Sequence, residues 1–305
     1  MTDTPPRAQD AVRDQYEHEL NAHWEAKQHD DINLMLGEMD GLYHHHYAVG
    51  DFDRDVLTSP PDRRQKRILQ EMHRMENEQV ELVLDGMGRL PACARVLDAG
   101  SGRGGTSFMV HDRLGVRVDG VNFCEHQLAF ARQLSGRRGC ADSVRFHYGN
   151  MAATPFPDAS FQGVVTNETT MYVDLFETFR EFARLLEPGG RYVLVTWCEN
   201  DAITTPGTRA EISAIDEHYV CHIHRRSTYF SALQANGLVP STVRDLTAKA
   251  IPYWELRSHS DLRTGVEQSF LDGYRANRLN YLVIVAERAR PTGRPAPVTA
   301  PSEER

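Results

Sequence analysis

The sequence predicts an α/β protein built on one seven-stranded sheet. Two observations support this fold class: short runs rich in β-branched residues alternate with helix-sized segments from residue 95 onwards, and a glycine-rich turn follows the first run. Strands that alternate with helices are joined by crossover connections, which place neighbouring strands parallel. We therefore expect a parallel sheet with helices on both faces.

The strands and the helices between them follow in order along the chain. Apolar residues recur at helical spacing over 65–87, which predicts an amphipathic helix before the sheet. Further helices are predicted over 125–134 and 261–277. Two more, over 206–218 and 229–236, are predicted as an insertion after the fifth strand, above the carboxyl end of the sheet. The predicted strands are residues 95–100, 117–123, 144–149, 161–166, 191–196, 239–246 and 280–287.

The two ends of the chain differ in composition from its middle. Residues 1–15 are polar with a pair of prolines, and residues 289–305 are rich in Pro and charge, so we expect two disordered tails. Residues 16–90 mix short helices with irregular segments, and we expect them to form a helical lid. The lid would cover a core of residues 91–288 that carries the helical insertion at about 200–236.

The net charge and the cysteine content exclude several functions. The 305 residues include 34 Lys and Arg against 43 Asp and Glu, a formal net charge of -9, so we expect no nucleic-acid partner. No apolar run is long enough for a membrane span and the N-terminus lacks the features of a signal peptide, which predicts a cytoplasmic protein without a membrane partner. The 5 scattered cysteines contain no CxxC pair, which argues against a disulfide framework or a structural zinc site.

A glycine-rich turn, LDAGSGRGG, includes the end of the first predicted strand. Gly100, Gly102 and Gly105 let the backbone turn sharply into a helix whose N-terminal N–H groups face a ligand. The three glycines fit GxGxxG, so a nicotinamide-dependent oxidoreductase is an alternative. Two details argue against it: Asp98 lies two residues before the first glycine, and the second strand ends in GVNF, without the acid that binds a ribose diol.

An acid before G-x-G-x-G, together with EPGGRYVLVTW at 187–197, resembles the class I S-adenosylmethionine-dependent methyltransferases. The resemblance implies a Rossmann-like, seven-stranded, mostly parallel sheet whose last strand is antiparallel. It also implies that the backbone of Gly100 and Gly102 meets the methionine portion of S-adenosylmethionine, and that Asp98 holds the amino group. The residues implied for the ribose and adenine side are Asn122, Gln127, Asn150 and Met151.

Further segments resemble a narrower group, the geranyl diphosphate C-methyltransferases. They include INLMLG, DGLYHHHYAVG, NETTMYVD, CHIHRRSTY and IPYWELR, and the resemblance runs from about residue 30 to about residue 288. It implies an enzyme of terpenoid biosynthesis that uses S-adenosylmethionine and Mg²⁺ to methylate a short prenyl diphosphate, with C2 of geranyl diphosphate favoured. It also implies a homo-oligomer.

The implied reaction needs a base and aromatic faces. Methylation of a carbon–carbon double bond leaves a tertiary cation, which aromatic rings stabilise and loss of a proton quenches. We expect Glu168, just past the fourth strand, to be the base, because a carboxylate in a desolvated pocket gains proton affinity. The aromatic candidates are Tyr47, Tyr172 and Tyr219, with core packing as the alternative for each. Tyr219 stands where the resembled enzymes have Phe.

The diphosphate of such a substrate needs cationic partners. The resemblance implies Asn33 and Glu76 as ligands of Mg²⁺ or holders of its water, which suits the preference of this ion for oxygen. Three adjacent histidines cannot all face one ion in a regular element, so at most one is expected at the phosphates. The candidate phosphate contacts are one of His44, His45 and His46, together with Arg225 and Arg226.

Two departures from the resembled enzymes bear on substrate size. Trp197 stands where they have Gly, which would shorten the substrate pocket, and Val165 stands where they have Trp, which would widen it. Because these changes oppose each other, isopentenyl and farnesyl diphosphate stay open as substrates. A cofactor-binding regulator with an inactive site is the non-enzymatic alternative.

Overall fold

The computed structural model describes residues 11–202 and 209–290, which form a seven-stranded sheet with helices on both faces. The strands are β1 (Arg95–Ala99), β2 (Arg117–Asn122), β3 (Val144–Tyr148), β4 (Phe161–Asn167), β5 (Leu186–Glu199), β6 (Leu238–Asp245) and β7 (Leu279–Arg288). They lie in the order β3-β2-β1-β4-β5-β7-β6. The first five pair in parallel, whereas β7 runs antiparallel to β5 and β6. The α/β class, the seven strands and the antiparallel last strand are therefore confirmed.

Helices cover both faces of this sheet. Those of the described residues are α1 (Gln15–Glu25), α2 (Asp31–Gly37), α3 (Pro61–Met87), α4 (Gly105–Leu114), α5 (Glu125–Arg137), α6 (Leu175–Leu185), α7 (Ala210–Tyr219), α8 (Arg226–Ala235), α9 (Thr247–Ser258) and α10 (Glu267–Arg275). One apolar cluster joins α6 and α8 to the sheet, and a second joins α3, α4, α9 and α10 to it. None of the described helices combines the length and the apolarity needed to cross a membrane.

The long helix α3 belongs to the core and not to a lid. Pro61 occupies its first turn, where the missing N–H is not needed, and the chain leaves the helix at Gly88. A Cβ built on Gly86 would come 3.0 Å from Val285 and 3.1 Å from Val193, so the helix rests directly on β7 and β5. The predicted lid over 16–90 is therefore too long: the segment before α3 lines the cavities at the carboxyl ends of the strands, whereas α3 lines neither of them.

The N-terminal boundary of the ordered chain also differs from the prediction. Ala11 is buried, and its carbonyl accepts a hydrogen bond from the Asn150 amide at 3.0 Å. The Asp14 carboxylate accepts the backbone N–H of Glu17 at 2.8 Å, an N-cap that starts α1. The predicted tail over 1–15 is thus wrong for residues 11–15. Residues 1–10 and 291–305 lie outside the described residues.

The insertion after β5 and the region before β7 need two further corrections. The predicted start at Pro206 lies outside the described residues. Only α7 stands above the carboxyl edge, because α8 packs against α6 and β6 as part of the core. Between β6 and β7 the chain forms two helices, and α9 escaped prediction because it is buried on several sides and has Pro252 within it.

Candidate active site

Two adjoining cavities open at the carboxyl ends of the parallel strands, the edge at which open α/β sheets bind ligands. The glycine-turn cavity is lined by the predicted residues Asp98, Gly100, Gly102, Asn122, Gln127 and Met151. The aromatic cavity is lined by Tyr47, Trp197, Tyr219, Lys27, Asn33 and Arg257, among others. Four side chains border both cavities: Trp24, His45, Glu168 and Tyr172.

The turn between β1 and α4 requires its glycines. Gly100 has φ +85° and Gly102 has φ +53°, in the left-handed region that favours glycine. A Cβ on Gly100 would lie 2.5 Å from the Thr169 side chain, so no larger residue fits there. The backbone N–H groups of Gly100 and Ser101 donate to the carbonyl of Val121, which fixes the turn against β2. The backbone of the turn therefore forms one wall of the cavity.

Asp98 places a buried carboxylate in the wall of this cavity, and few hydrogen bonds stabilise its negative charge. It is 1% exposed, and the one side chain that bonds to it is Ser107, whose hydroxyl donates at 2.5 Å. Desolvation raises the pKa of Asp98 to about 6, and the hydrogen bond from Ser107 opposes the rise. A cationic group in the cavity would restore the ionised form. The amino group of an amino-acid portion fits this position.

The ribose and adenine candidates divide into two groups. The Asn122 amide donates to the Gln127 side-chain oxygen at 2.7 Å, and both residues line the glycine-turn cavity with Met151. Asn150 does not line it. Its amide donates to Ala11 and to Glu17 at 2.8 Å, which turns the side chain towards the N-terminal segment. The predicted cofactor contact of Asn150 is therefore not formed by its side chain in this structure.

Glu168 stands at the boundary of the two cavities. It follows β4 with φ +56°, a conformation that costs a non-glycine residue on the order of 1–3 kcal/mol and that often marks functional sites. One carboxylate oxygen accepts the Tyr281 hydroxyl at 2.5 Å and the other accepts the backbone N–H of Tyr47 at 3.1 Å. Burial raises the pKa of Glu168 to about 7, and the two hydrogen bonds oppose the rise. The carboxyl group is thus poised to gain or lose a proton near neutral pH.

The three predicted tyrosines meet around the aromatic cavity. The hydroxyls of Tyr47 and Tyr219 are hydrogen-bonded to each other, and Tyr172 borders both cavities beside Glu168. Two indoles that the sequence did not assign to this role complete the wall: Trp24 packs edge-on against Tyr172 with ring centres 5.8 Å apart, and Trp197 packs against Tyr219 at 5.8 Å. Trp24 comes from α1, and its sequence context carried no motif that could have identified it.

The aromatic cavity also has a cationic end. Arg257 is 3% exposed; its Nε donates to Glu267 at 3.2 Å, while Nη1 has no hydrogen-bond partner in the described structure. Lys27 lies in the same wall, and burial lowers the pKa of its ammonium group. A buried cation with an unused donor is costly unless an anion completes it. This end of the cavity therefore favours an anionic ligand.

The predicted phosphate arginines do not reach this place. Arg225 pairs with Glu199 at 3.5 Å, and Arg226 pairs with Asp245 at 3.3 Å. Neither lines either cavity, so this structure does not place them to bind an anion there. The segment IPYWELR contains the arginine that does line it, Arg257, but the sequence gave no reason to choose it over the other two.

The two predicted magnesium residues are not brought together. Asn33 lines the aromatic cavity, where its amide Nδ2 donates to Asp30 at 2.6 Å, and Asp31 lies beside it. Glu76 lies on α3, accepts the Tyr253 hydroxyl at 2.6 Å and lines neither cavity. Oxygen-bearing side chains that line this cavity are Asp30 and Asn33, which are hydrogen-bonded to each other, and Asp31; we call these three residues the donor set. Carboxylate and amide oxygens suit a hard cation.

The three adjacent histidines have different hydrogen-bond partners, although the rings of His44 and His46 lie 4.6 Å apart. His45 borders both cavities and lies 2.7 Å from Arg103. His44 bonds to Asn77 at 2.8 Å, and His46 bonds to the carbonyl of Tyr47 at 2.9 Å. Of the three, His45 alone reaches the aromatic cavity.

The comparisons with known proteins agree with the fold and the glycine turn. Residues 96–190 match the family model of a methyltransferase domain. The fold and this match define the chain as a methyltransferase. The comparisons lend no support to the oxidoreductase alternative.

Relatives of known activity narrow the class. The geranyl diphosphate 2-C-methyltransferase of Saccharopolyspora erythraea is 47% identical over 257 residues, which cover 84% of this chain and 90% of the relative. The enzyme of the same name from Streptomyces ambofaciens is 42% identical over 84% of this chain and 88% of the relative. The chain therefore belongs to the geranyl diphosphate 2-C-methyltransferase family.

A solved structure supports the same assignment. Geranyl diphosphate C-methyltransferase from Streptomyces coelicolor A3(2), in complex with Mg²⁺, geranyl-S-thiolodiphosphate and S-adenosyl-L-homocysteine, matches with a TM-score of 0.87 at 39% identity. The match covers 92% of this chain and 100% of that chain.

Proposed function

We propose that this protein transfers a methyl group from S-adenosylmethionine to C2 of geranyl diphosphate, as a step of terpenoid biosynthesis. The single observation that carries the mechanism is the position of Glu168, a buried carboxyl group on the boundary between the glycine-turn cavity and the aromatic cavity, where burial raises its pKa to about 7. Family membership supports the choice of substrate.

The residues of the glycine-turn cavity suit S-adenosylmethionine, which supplies an electrophilic methyl group when bound. Asp98 would accept the amino group, and the backbone of Gly100 and Gly102 would pack against the methionine portion. Asn122 and Gln127, already bonded to each other, offer amide groups to the ribose and adenine side. A cationic partner is favoured because the carboxylate of Asp98 is buried and few hydrogen bonds stabilise its negative charge.

The aromatic cavity suits the prenyl chain. Attack of the alkene on the methyl carbon would form the new C–C bond at C2 while the bond from that carbon to sulfur breaks, so that S-adenosylhomocysteine leaves with the electron pair and a cation is left at C3 of the substrate. The rings of Tyr47, Tyr172 and Tyr219, with Trp24 and Trp197, can stabilise that charge through their π faces. Glu168 then removes the proton from C2, and the electron pair of that C–H bond restores the double bond.

The cationic end of the aromatic cavity suits the diphosphate. Lys27 and the unused Nη1 donor of Arg257 would bind its oxygens. Mg²⁺ would be held, directly or through water, by Asp30, Asp31 and Asn33. The ion would offset the repulsion between the negatively charged protein and the diphosphate. Glu76, which the resemblance implies as a second ligand or water holder, bonds to Tyr253 and lines neither cavity.

Residues 11–57 supply the roof of both cavities through Leu20, Trp24, Asn33 and Tyr47. A carbocation reacts rapidly with water, so the roof would serve to exclude solvent during the reaction. This is the function that we propose for the shortened lid. Self-association, which the resemblance implies, stays a prediction that sedimentation of the purified protein tests.

One experiment tests the reaction and the substrate together. The purified protein is incubated with S-adenosylmethionine, Mg²⁺ and isopentenyl, geranyl or farnesyl diphosphate in parallel, and the products are identified by mass spectrometry. We expect methylation at C2 of geranyl diphosphate and loss of activity on removal of Mg²⁺ with a chelator. Preferred methylation of another prenyl diphosphate would correct the substrate, and no methylation of any would favour the inactive regulator.

A further inference from the structure

A cluster of metal-ligand side chains lies where α1 meets α5. The ligand atoms of Glu25, Cys124 and His126 all lie within 4.8 Å of one another. Within residues 11–202 and 209–290, no other three His, Cys, Asp or Glu side chains meet the same distance. The sequence concealed this cluster because Glu25 lies about a hundred positions from its two partners.

Backbone groups orient two members of the cluster, and the fold fixes the third. Cys124 is buried at the N-cap of α5, and its thiol makes no capping hydrogen bond with the helix. Nε2 of His126 lies 2.9 Å from the carbonyl of Trp24, and a ring N–H donated to a carbonyl leaves the other ring nitrogen with a lone pair. One carboxylate oxygen of Glu25 accepts the backbone N–H of Glu125 at 2.6 Å, which leaves the other oxygen to act as a metal ligand. Metal ligands in proteins are commonly fixed by outer hydrogen bonds of this kind.

We propose that Glu25, Cys124 and His126 form a binding site for a borderline transition-metal ion such as Zn²⁺. A thiolate, an imidazole and a carboxylate are the ligands that Zn²⁺ takes in proteins, with water in the remaining position. Mg²⁺ prefers oxygen ligands alone, so this site is chemically distinct from the donor set of Asp30, Asp31 and Asn33.

A metal ion at this place would tie the roof to the core. Glu25 ends α1, whereas Cys124 and His126 start α5. The residue before Glu25 is Trp24, which borders both cavities, and Asn21 already donates to the carbonyl of Phe123 at 2.7 Å across the same junction. Metal binding therefore holds Trp24 in place and slows the release of a ligand from the glycine-turn cavity. This coupling rests on the proposed function, whereas the binding of the metal does not.

Cobalt titration of the full-length protein tests the site without substrate. The chelator-treated protein is titrated with Co²⁺ alone, and the thiolate-to-cobalt charge-transfer band is followed in the near ultraviolet. We expect one equivalent of Co²⁺ to produce the band, Zn²⁺ to displace it and excess Mg²⁺ to leave it unchanged. Cys124→Ser is expected to abolish it. The matched control is Cys221→Ser, since Cys221 is also buried, lies beside a carboxylate (Asp216) and has His222 next in sequence.

Two further variants keep the test decisive if Cys124→Ser does not fold. Glu25→Gln and His126→Asn retain the thiol, and each is expected to weaken Co²⁺ binding at least about tenfold. The site would be overturned if the folded wild-type protein gave no band, or if both variants bound Co²⁺ with the affinity of the wild-type protein. The coupling is measured separately as the dissociation rate of S-adenosylhomocysteine with and without Zn²⁺. An unchanged dissociation rate would show that metal binding is not coupled to the glycine-turn cavity. If S-adenosylhomocysteine does not bind at all, the result would count against the proposed function instead.

Discussion

The glycine-turn cavity and the aromatic cavity share Glu168 but are assembled in different ways. The predicted residues that line the first come from the ends of β1 and β2 and the segments that follow β2 and β3, so short motifs specify it. The second gathers Lys27, Tyr47, Trp197, Tyr219 and Arg257 from segments spread over more than two hundred positions. A cavity built from one sheet edge can be found from local patterns, whereas one built from the roof and the later helices depends on the completed fold.

Removal of the shared carboxylate tests the comparison most strongly. We expect Glu168→Gln to lower turnover by about 10²- to 10⁴-fold, because the amide cannot take the proton that the carboxylate would accept at the boundary of the two cavities. Binding of S-adenosylhomocysteine, measured by calorimetry, is expected to persist. The control is Glu187→Gln, which changes an exposed carboxylate at the start of β5, at the edge of the sheet opposite to Glu168. Turnover near the wild-type rate would remove Glu168 from the mechanism.

A change at Asp98 separates the first cavity from the second. Asp98→Asn is expected to weaken S-adenosylhomocysteine binding by about 10- to 100-fold, the loss of a charge-assisted hydrogen bond. In the wild-type protein, binding is expected to weaken as the pH falls below about 6, because the raised pKa of Asp98 lets it accept a proton there. Asp119→Asn removes a buried carboxylate that pairs with Arg95 outside both cavities, and it is expected to change thermal stability without this binding defect.

A change at Arg257 tests the cationic end of the second cavity. We expect Arg257→Lys to raise the KM for the prenyl diphosphate about tenfold, since lysine keeps the charge but loses the planar fork. Affinity for S-adenosylhomocysteine is expected to stay the same. Arg225→Lys is the matched control, because Arg225 belongs to the CHIHRRSTY motif but pairs with Glu199. An equal rise in KM for both variants would show that the effect is one of surface charge.

The length of the aromatic cavity depends on Trp197. The sequence predicts opposite effects of Trp197 and Val165 on the size of the substrate pocket. Trp197 lines the aromatic cavity, whereas Val165 is buried in the sheet and lines neither cavity. Trp197→Phe is expected to raise kcat/KM for farnesyl relative to geranyl diphosphate about tenfold. Trp254→Phe is the control, because Trp254 stacks on Phe270 behind the wall with ring centres 3.9 Å apart. No shift in the ratio would mean that Trp197 does not set chain length.

The smallest effect concerns the proton affinity of the shared base. Activity is expected to rise with pH through about 7, because Glu168 accepts a proton only in its ionised form. The Tyr281 hydroxyl stabilises that form, so Tyr281→Phe is expected to move this limb of the pH–rate profile to higher pH by roughly one unit. Tyr192→Phe is the control, since its buried hydroxyl bonds to Thr166 instead. A limb that stays in place would show that Tyr281 has only a structural role.

The raised pKa of Glu168 makes activity and stability depend on pH in opposite directions. The folded state holds this proton up to about pH 7, whereas an exposed glutamate releases it near its ordinary pKa of 4.5. Between these values the folded state binds more protons than the unfolded state, so the contribution of Glu168 to stability falls as the pH rises. Glu168→Gln is therefore expected to raise the Tm more at pH 8 than at pH 5.

The sequence by itself determined the seven strands and the glycine turn, and the resemblance to the methyltransferases implied the antiparallel last strand. Alternating hydrophobic periods and the glycines at 100 and 102 report local backbone geometry, which does not depend on distant residues. The family segments also led to Glu168 and the three tyrosines, all of which border the aromatic cavity.

Only the tertiary structure decided which charged and aromatic residues complete the site. Arg225, Arg226 and Arg257 cannot be distinguished by local pattern, and the choice depends on which guanidinium is buried with an unused donor. The same holds for Trp24 and for the Glu25, Cys124 and His126 cluster. The spacing of the three cluster residues in sequence is arbitrary, since it is the packing of α1 against the start of α5 that brings their ligand atoms within 4.8 Å of one another.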